Sequence, residues 1–119
     1  MKVGNVSRNM TFEQAQEQVR EFLEKQRKDW TQIDNHFYLF THLSEEMGEL
    51  ARDMINAYFK WTDRETRKPI LREKIISRIE DDLGDLVYHL FKLAIAHDID
   101  LGEAFQKAMD DIRKRYGKE

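Results

Sequence analysis

Residues 43–50 read LSEEMGEL, and residues 79–90 read IEDDLGDLVYHL. In each stretch two acids stand three positions apart among apolar neighbours: Glu46 and Glu49 in the first, Asp82 and Asp85 in the second. That spacing places side chains on one face of a helix but on opposite faces of a strand. Apolar residues keep the same helical period. Phe40, Leu43, Met47, Leu50 and Met54 form a stripe around the first pair, and Ile75, Ile79, Leu83, Leu86, Leu90 and Leu93 form one around the second. Both stretches therefore read as long amphipathic helices. Glu45 flanks the first pair, and His42 and Asp53 extend its row; His89 continues the second row, with Asp81 beside it. Gly48 and Gly84 sit inside the pairs, where glycine costs about 1 kcal/mol relative to alanine. A helix accepts that cost where another backbone or a ligand comes close. Packed face to face at about 8–10 Å between axes, the two helices would set four carboxylates across one gap. A hard divalent cation such as Mg²⁺ relieves their repulsion, since it takes oxygen ligands and bridges carboxylates to phosphates.

The flanks extend this to an all-α chain. Thr11 with Gln14 has capping-box spacing, and Phe12, Ala15, Val19, Phe22 and Leu23 follow at helical intervals, giving a first helix that ends between residues 28 and 31. The helix carrying Glu46 spans about 34–59. Residues 60–70, KWTDRETRKPI, contain the single proline, Pro69, and read as a loop. Residues 60–74 hold six Lys/Arg against three Asp/Glu, so this connection is locally basic. A third helix spans about 71–97. Asp100, with Glu103 three residues on, is an N-cap for a fourth, whose Leu101, Phe105, Ala108 and Ile112 face inward. The expectation is a four-helix bundle-like domain over 11–119, preceded by a flexible arm over 1–10. With 40% hydrophobic and 36% charged residues, its core is thin. Subunits are expected to complete one another's core, as a homodimer or homotetramer.

Composition removes several alternatives. Five glycines and one proline in 119 residues are too few for the turns of an all-β domain. The absence of cysteine excludes a disulfide scaffold, a thiol nucleophile and a cysteine-ligated zinc. No apolar run approaches the roughly 20 residues needed to span a bilayer, and the N-terminus lacks a signal-type apolar stretch. The sequence reads as cytoplasmic, with no membrane partner. A net charge of −3 argues against a nucleic-acid partner. A di-iron helical protein would show Glu-x-x-His pairs, and none occurs.

Glu45-Glu46-Met47-Gly48-Glu49 and Asp82-Leu83-Gly84-Asp85 resemble the E-E-x-x-E and E-x-x-D halves of the MazG-like, all-α nucleotide pyrophosphohydrolases. The first half matches fully. In the second, Asp82 stands where the family usually has Glu, and the stretch between the halves is longer because of the loop at 62–70. The resemblance covers about residues 12–116. It implies Mg²⁺-dependent hydrolysis of a nucleoside triphosphate, NTP or dNTP, to the monophosphate and pyrophosphate, with Mn²⁺ as a substitute cation. Carried over by position, Glu46, Glu49, Asp82 and Asp85 would be metal ligands, and Glu45 the base that orients or deprotonates the attacking water. Asp82 is one methylene shorter than Glu. A water could fill the gap, or Asp81 or Glu80 could replace it, but these point about 100° and 200° away around the helix, which favours Asp82. The related phosphoribosyl-ATP pyrophosphohydrolase and a non-catalytic helical interaction module are the competing readings.

The triphosphate also needs counter-charge. Lys107 and Arg115 are the preferred pair, because similar proteins place basic residues on the last helix; Ile112 stands where several of them carry Asn. Lys60, Arg64, Arg67, Lys68, Lys74 and Arg78, on or near the loop, could together form a basic rim. Trp30 and Trp61 are candidates for base stacking. His42 and His89, one turn from the acid pairs, are candidates to line the substrate site.

Overall fold

The computed structural model describes residues 9–26 and 36–117. These residues form α1 (Phe12–Lys25), α2 (His36–Ile55), a π turn (Asn56–Lys60), α3 (Arg72–Ala96) and α4 (Leu101–Tyr116). The architecture is all-α, with no strand among the described residues, only an isolated bridge from Thr62 to Pro69. The expected arm, apart from residues 9 and 10, and the connection containing Trp30 lie outside the described residues. Contacts divide the chain into two units: residues 1–34 with 91–119, and residues 35–90. α3 runs through both.

In the first unit the capping box forms as expected: Gln14 N–H donates to Thr11 Oγ1 (3.0 Å), and Thr11 N–H donates to Gln14 Oε1 (2.9 Å). α1 ends at Lys25, before the expected 28–31, where Gln26 N–H closes the last turn. Phe12 packs edge-on against Phe91 (5.7 Å between centroids) and at a tilt against Phe105 (5.6 Å). Leu23 and Ile95 form a small core with Val19 and Ala96. Gln16, which stands outside the apolar stripe of α1, is buried. Its amide donates to the Ile99 carbonyl (2.8 Å) and accepts from Leu101 N–H (3.0 Å). Asp100 caps α4 by accepting from Glu103 N–H, as expected. Gly102 packs closely on α1: a Cβ there would lie 3.3 Å from Phe12 Cβ, a tight contact. The expected inward face of α4 is not enclosed, for Phe105 is 53% exposed and no α4 residue is fully buried.

In the second unit α2 stops four residues before the expected helix end, passing into the π turn. The Asn56 carbonyl accepts from both Trp61 and Thr62 N–H, and Trp61 takes a left-handed conformation, φ 56°. The apolar stripes need correction. Leu39 and Ala57 are the buried apolar residues of α2 and its extension, and Ile75 is buried at the start of α3, while Phe40, Met47, Met54, Leu83 and Leu90 are exposed. The stripes keep the helical period, but the described residues do not supply enough apolar cover to bury both sides of each.

Residues 61–70 form the expected loop, folded around Asp63, which is 3% exposed. Its Oδ1 accepts from Glu65 N–H (2.7 Å) and Thr66 N–H (3.1 Å), and its Oδ2 accepts from Arg78 (3.0 Å) and faces Lys74 Nζ at 3.6 Å. Those backbone donors first, then the two cations, hold its carboxyl down at about 2, against the cost of its burial.

Candidate active site

The acids come together in the second unit because α2 and α3 pass each other antiparallel. Near the start of α2, the His42 ring lies 5.9 Å from the His89 ring. Farther along, Asp53 of α2 lies beside Asp82 of α3. Between them, Glu46 Oε2 sits 3.8 Å from His89 Nε2, an ion pair when the imidazole is protonated. Tyr38 packs on His42 at 4.3 Å and Tyr88 on His89 at 5.2 Å, so an aromatic wall stands at the Glu46 end.

The electrostatics show which acids share a field. Burial raises the Glu46 carboxyl, and the charges of Glu49, Asp85 and Glu45 raise it further against the influence of His42. Asp82 is 6% exposed. Burial raises its carboxyl far above the ordinary range; adjacent Asp53 adds to this, Arg64 opposes it and Glu49 contributes. Glu46 and Glu49 are half-buried, while Glu45 and Asp85 are exposed.

Among the described residues, no three Asp, Glu or His side chains close around one point as a ready metal-binding group. The donors nevertheless fit a hard divalent cation. They are all carboxylate oxygens, and Asp82 Oδ2 and both Asp53 oxygens are buried without a hydrogen-bond partner. Such orphaned anionic atoms are what a cation satisfies. Asp53 also forms an ion pair with Arg64 at 3.2 Å, which falls short of hydrogen-bond geometry.

Lys107 and Arg115 are exposed on α4, in the first unit. Trp61 is 60% exposed and meets Tyr58 edge-on at 6.2 Å. Trp30 lies outside the described residues. A Cβ at Gly48 or Gly84 would meet nothing within 4 Å, so close approach by the described chain does not explain either glycine. The sequence placed Asp53 in the acid row but gave it no role; the signal was its position, four residues after Glu49. Arg64 had only a general place in the basic rim, since its link to Asp53 crosses a loop whose course no periodicity encodes.

The family that the sequence resembles is also the one that comparison with known proteins finds. The profile of the MazG nucleotide pyrophosphohydrolase domain matches residues 34–118. The chain belongs to that family and is a nucleotide pyrophosphohydrolase. The uncharacterized Bacillus subtilis (strain 168) protein YvdC is 28% identical over 107 residues, 90% of this chain and 97% of its own. The dCTP pyrophosphatase 1 of Mus musculus is 31% identical over 90 residues, 75% of this chain and 50% of its own. A second uncharacterized B. subtilis protein, YpjD, is 31% identical over 77 residues, 65% of this chain and 63% of its own. The chain thus spans nearly all of YvdC but half of the mouse protein.

Proposed function

We propose that this chain hydrolyses a nucleoside triphosphate, NTP or dNTP, to the monophosphate and pyrophosphate in a Mg²⁺-dependent reaction, with residues 11–119 acting as one domain. The observation that carries the reading is the shared field of Glu46, Glu49, Asp82 and Asp85, with buried oxygens on Asp82 and Asp53 that lack a hydrogen bond. Glu46, Glu49, Asp82 and Asp85 would hold the cation. When bound, Mg²⁺ neutralises phosphate charge and makes a water easier to deprotonate.

The rest of the chemistry belongs to the chain. Glu45, exposed and adjacent in sequence to Glu46, is free to accept a proton from the attacking water. His89 steadies the Glu46 carboxylate from across the gap. The wall of Tyr38, His42 and His89 offers flat faces for a base. Trp61, Lys107 and Arg115 are secondary candidates for substrate contact. The reading includes a cytoplasmic homo-oligomer, supported by the exposed apolar residues of both units. No described helix is long and apolar enough to cross a membrane.

The name of the mouse relative makes dCTP the first substrate to try. The test incubates the full chain and Mg²⁺ with a panel of NTPs and dNTPs and resolves the products. Monophosphate with pyrophosphate is expected; diphosphate with phosphate, or no Mg²⁺-dependent turnover on any of them, overturns the proposal.

A further inference from the structure

A cleft in the second unit opens on the side of α2 that turns away from the acid row. Gly48, Ala51, Ile55 and Asn56 line it together with Arg52, Lys60, Arg64 and Arg67. One carboxylate, Glu65, lines it as well, and that group already pairs with Arg78 at 3.4 Å. Four cations thus meet one engaged acid in a chain of net charge −3. Among the described residues, the side chains of Arg52, Lys60 and Arg67 have no ion pair or hydrogen bond. Arg64 is engaged with Asp53 at 3.2 Å, so the cleft adjoins the acidic centre through one side chain.

The loop that supplies Arg64 and Arg67 is held in place. Asp63 ties it to its own backbone and to Arg78 of α3, and Asp63 N–H donates to the Lys68 carbonyl at 2.7 Å. Arg67 sits at φ 62°, a conformation that glycine adopts freely and other L residues reach at a cost of about 1–2 kcal/mol. A charged residue kept at a glycine-type position directs attention to its side chain. Like-charged groups held together on a fixed loop favour an anion that can take several of their hydrogen bonds at once.

We propose that this cleft is an anion subsite for pyrophosphate, the product released from the nucleotide, apart from the phosphate position on the acid rows. The inference goes beyond the proposed function by giving Arg52, Lys60, Arg64 and Arg67 a ligand of their own. It rests on that reading for the identity of the ligand, but not for the existence of the site.

The experiment measures inorganic pyrophosphate binding to the full chain by calorimetry in EDTA, so that neither metal nor turnover enters. The variants are Arg67→Gly, which removes a cation while relieving the backbone, and Lys60→Ala. Lys68→Ala is the control, because Lys68, offered by the sequence as part of the basic rim, does not line the cleft. Each cleft variant is expected to weaken binding about tenfold, the effect of one lost charge-assisted hydrogen bond, with Lys68→Ala close to wild type. Arg67→Gly is expected to keep or raise the thermal midpoint. Unchanged affinity in both cleft variants, or an equal loss in Lys68→Ala, overturns the subsite. Pyrophosphate inhibition of turnover is expected to keep a non-competitive part that Arg67→Gly removes; inhibition of wild type that is purely competitive with the nucleotide overturns the link to the released product. Cleft-dependent binding without hydrolysis of any nucleotide would overturn the proposed function and leave the anion site standing.

Discussion

Asp82 is where residue identity and position compete. Asp is the shorter acid, yet it is the one that α3 turns toward Asp53 and Glu49. Asp81 and Glu80 are exposed on the same helix. Asp82→Ala is therefore expected to lower kcat at saturating Mg²⁺ by more than the about 10–100-fold typical of groups one shell from a metal, whereas Asp82→Glu retains activity. Asp81→Ala and Glu80→Ala should stay within about threefold of wild type, a change of less than 1 kcal/mol in the barrier. A fully active Asp82→Ala beside an inactive Asp81→Ala or Glu80→Ala would reverse the assignment. Asp82→Asn should also raise the thermal midpoint in EDTA, because it removes a charge that burial and Asp53 both disfavour. The four acids were legible in the sequence because three-residue spacing survives any helical packing. The burial of Asp53 and Asp82 was not, because it depends on what the neighbouring helix brings to that level.

At the scale of elements, the helices and their N-caps at Thr11 and Asp100 could be read from local pattern, since cap chemistry acts within three residues. Gln16 and Asp63 could not, because each joins segments distant in sequence or closes an irregular loop. Gln16→Leu would leave the Ile99 carbonyl and the Leu101 N–H without their partner. A loss of about 1–3 kcal/mol in unfolding free energy is expected from denaturant titration, and no loss would mean that water satisfies both groups. For Asp63 the sign of the pH effect is fixed by its lowered carboxyl. With a folded value of about 2 against roughly 3.9 in the unfolded chain, its stabilisation is fully present above the unfolded value. It disappears as pH falls toward 2. Thermal midpoints between pH 5 and 2 should therefore fall less steeply for Asp63→Asn than for wild type; parallel curves would show that the anchor contributes nothing.

For the whole molecule, the exposed apolar residues are the main datum. Among the described residues Phe37 is 85% exposed, Phe59 80% and Leu71 68%, and exposed large apolar side chains are what a subunit contact covers. The sequence anticipated this through its thin core, but the residues it assigned inward, such as Phe40 and Met47, are among those left open. Light scattering at micromolar concentration is expected to give two or four times the 14.4 kDa chain mass; a fully active monomer would contradict the oligomer.

The account's central claim is that the facing acid rows of α2 and α3 hold a divalent cation. The most direct measurement is Mn²⁺ binding to the full chain without nucleotide, read from the loss of the free-ion signal in electron paramagnetic resonance. Wild type is expected to take up Mn²⁺ and to release it to excess Mg²⁺. Glu49→Gln and Asp82→Asn should each weaken uptake at least about tenfold, as expected for loss of a charged ligand, while Asp81→Asn leaves it intact. Equal Mn²⁺ uptake by wild type, Glu49→Gln and Asp82→Asn would contradict the claim.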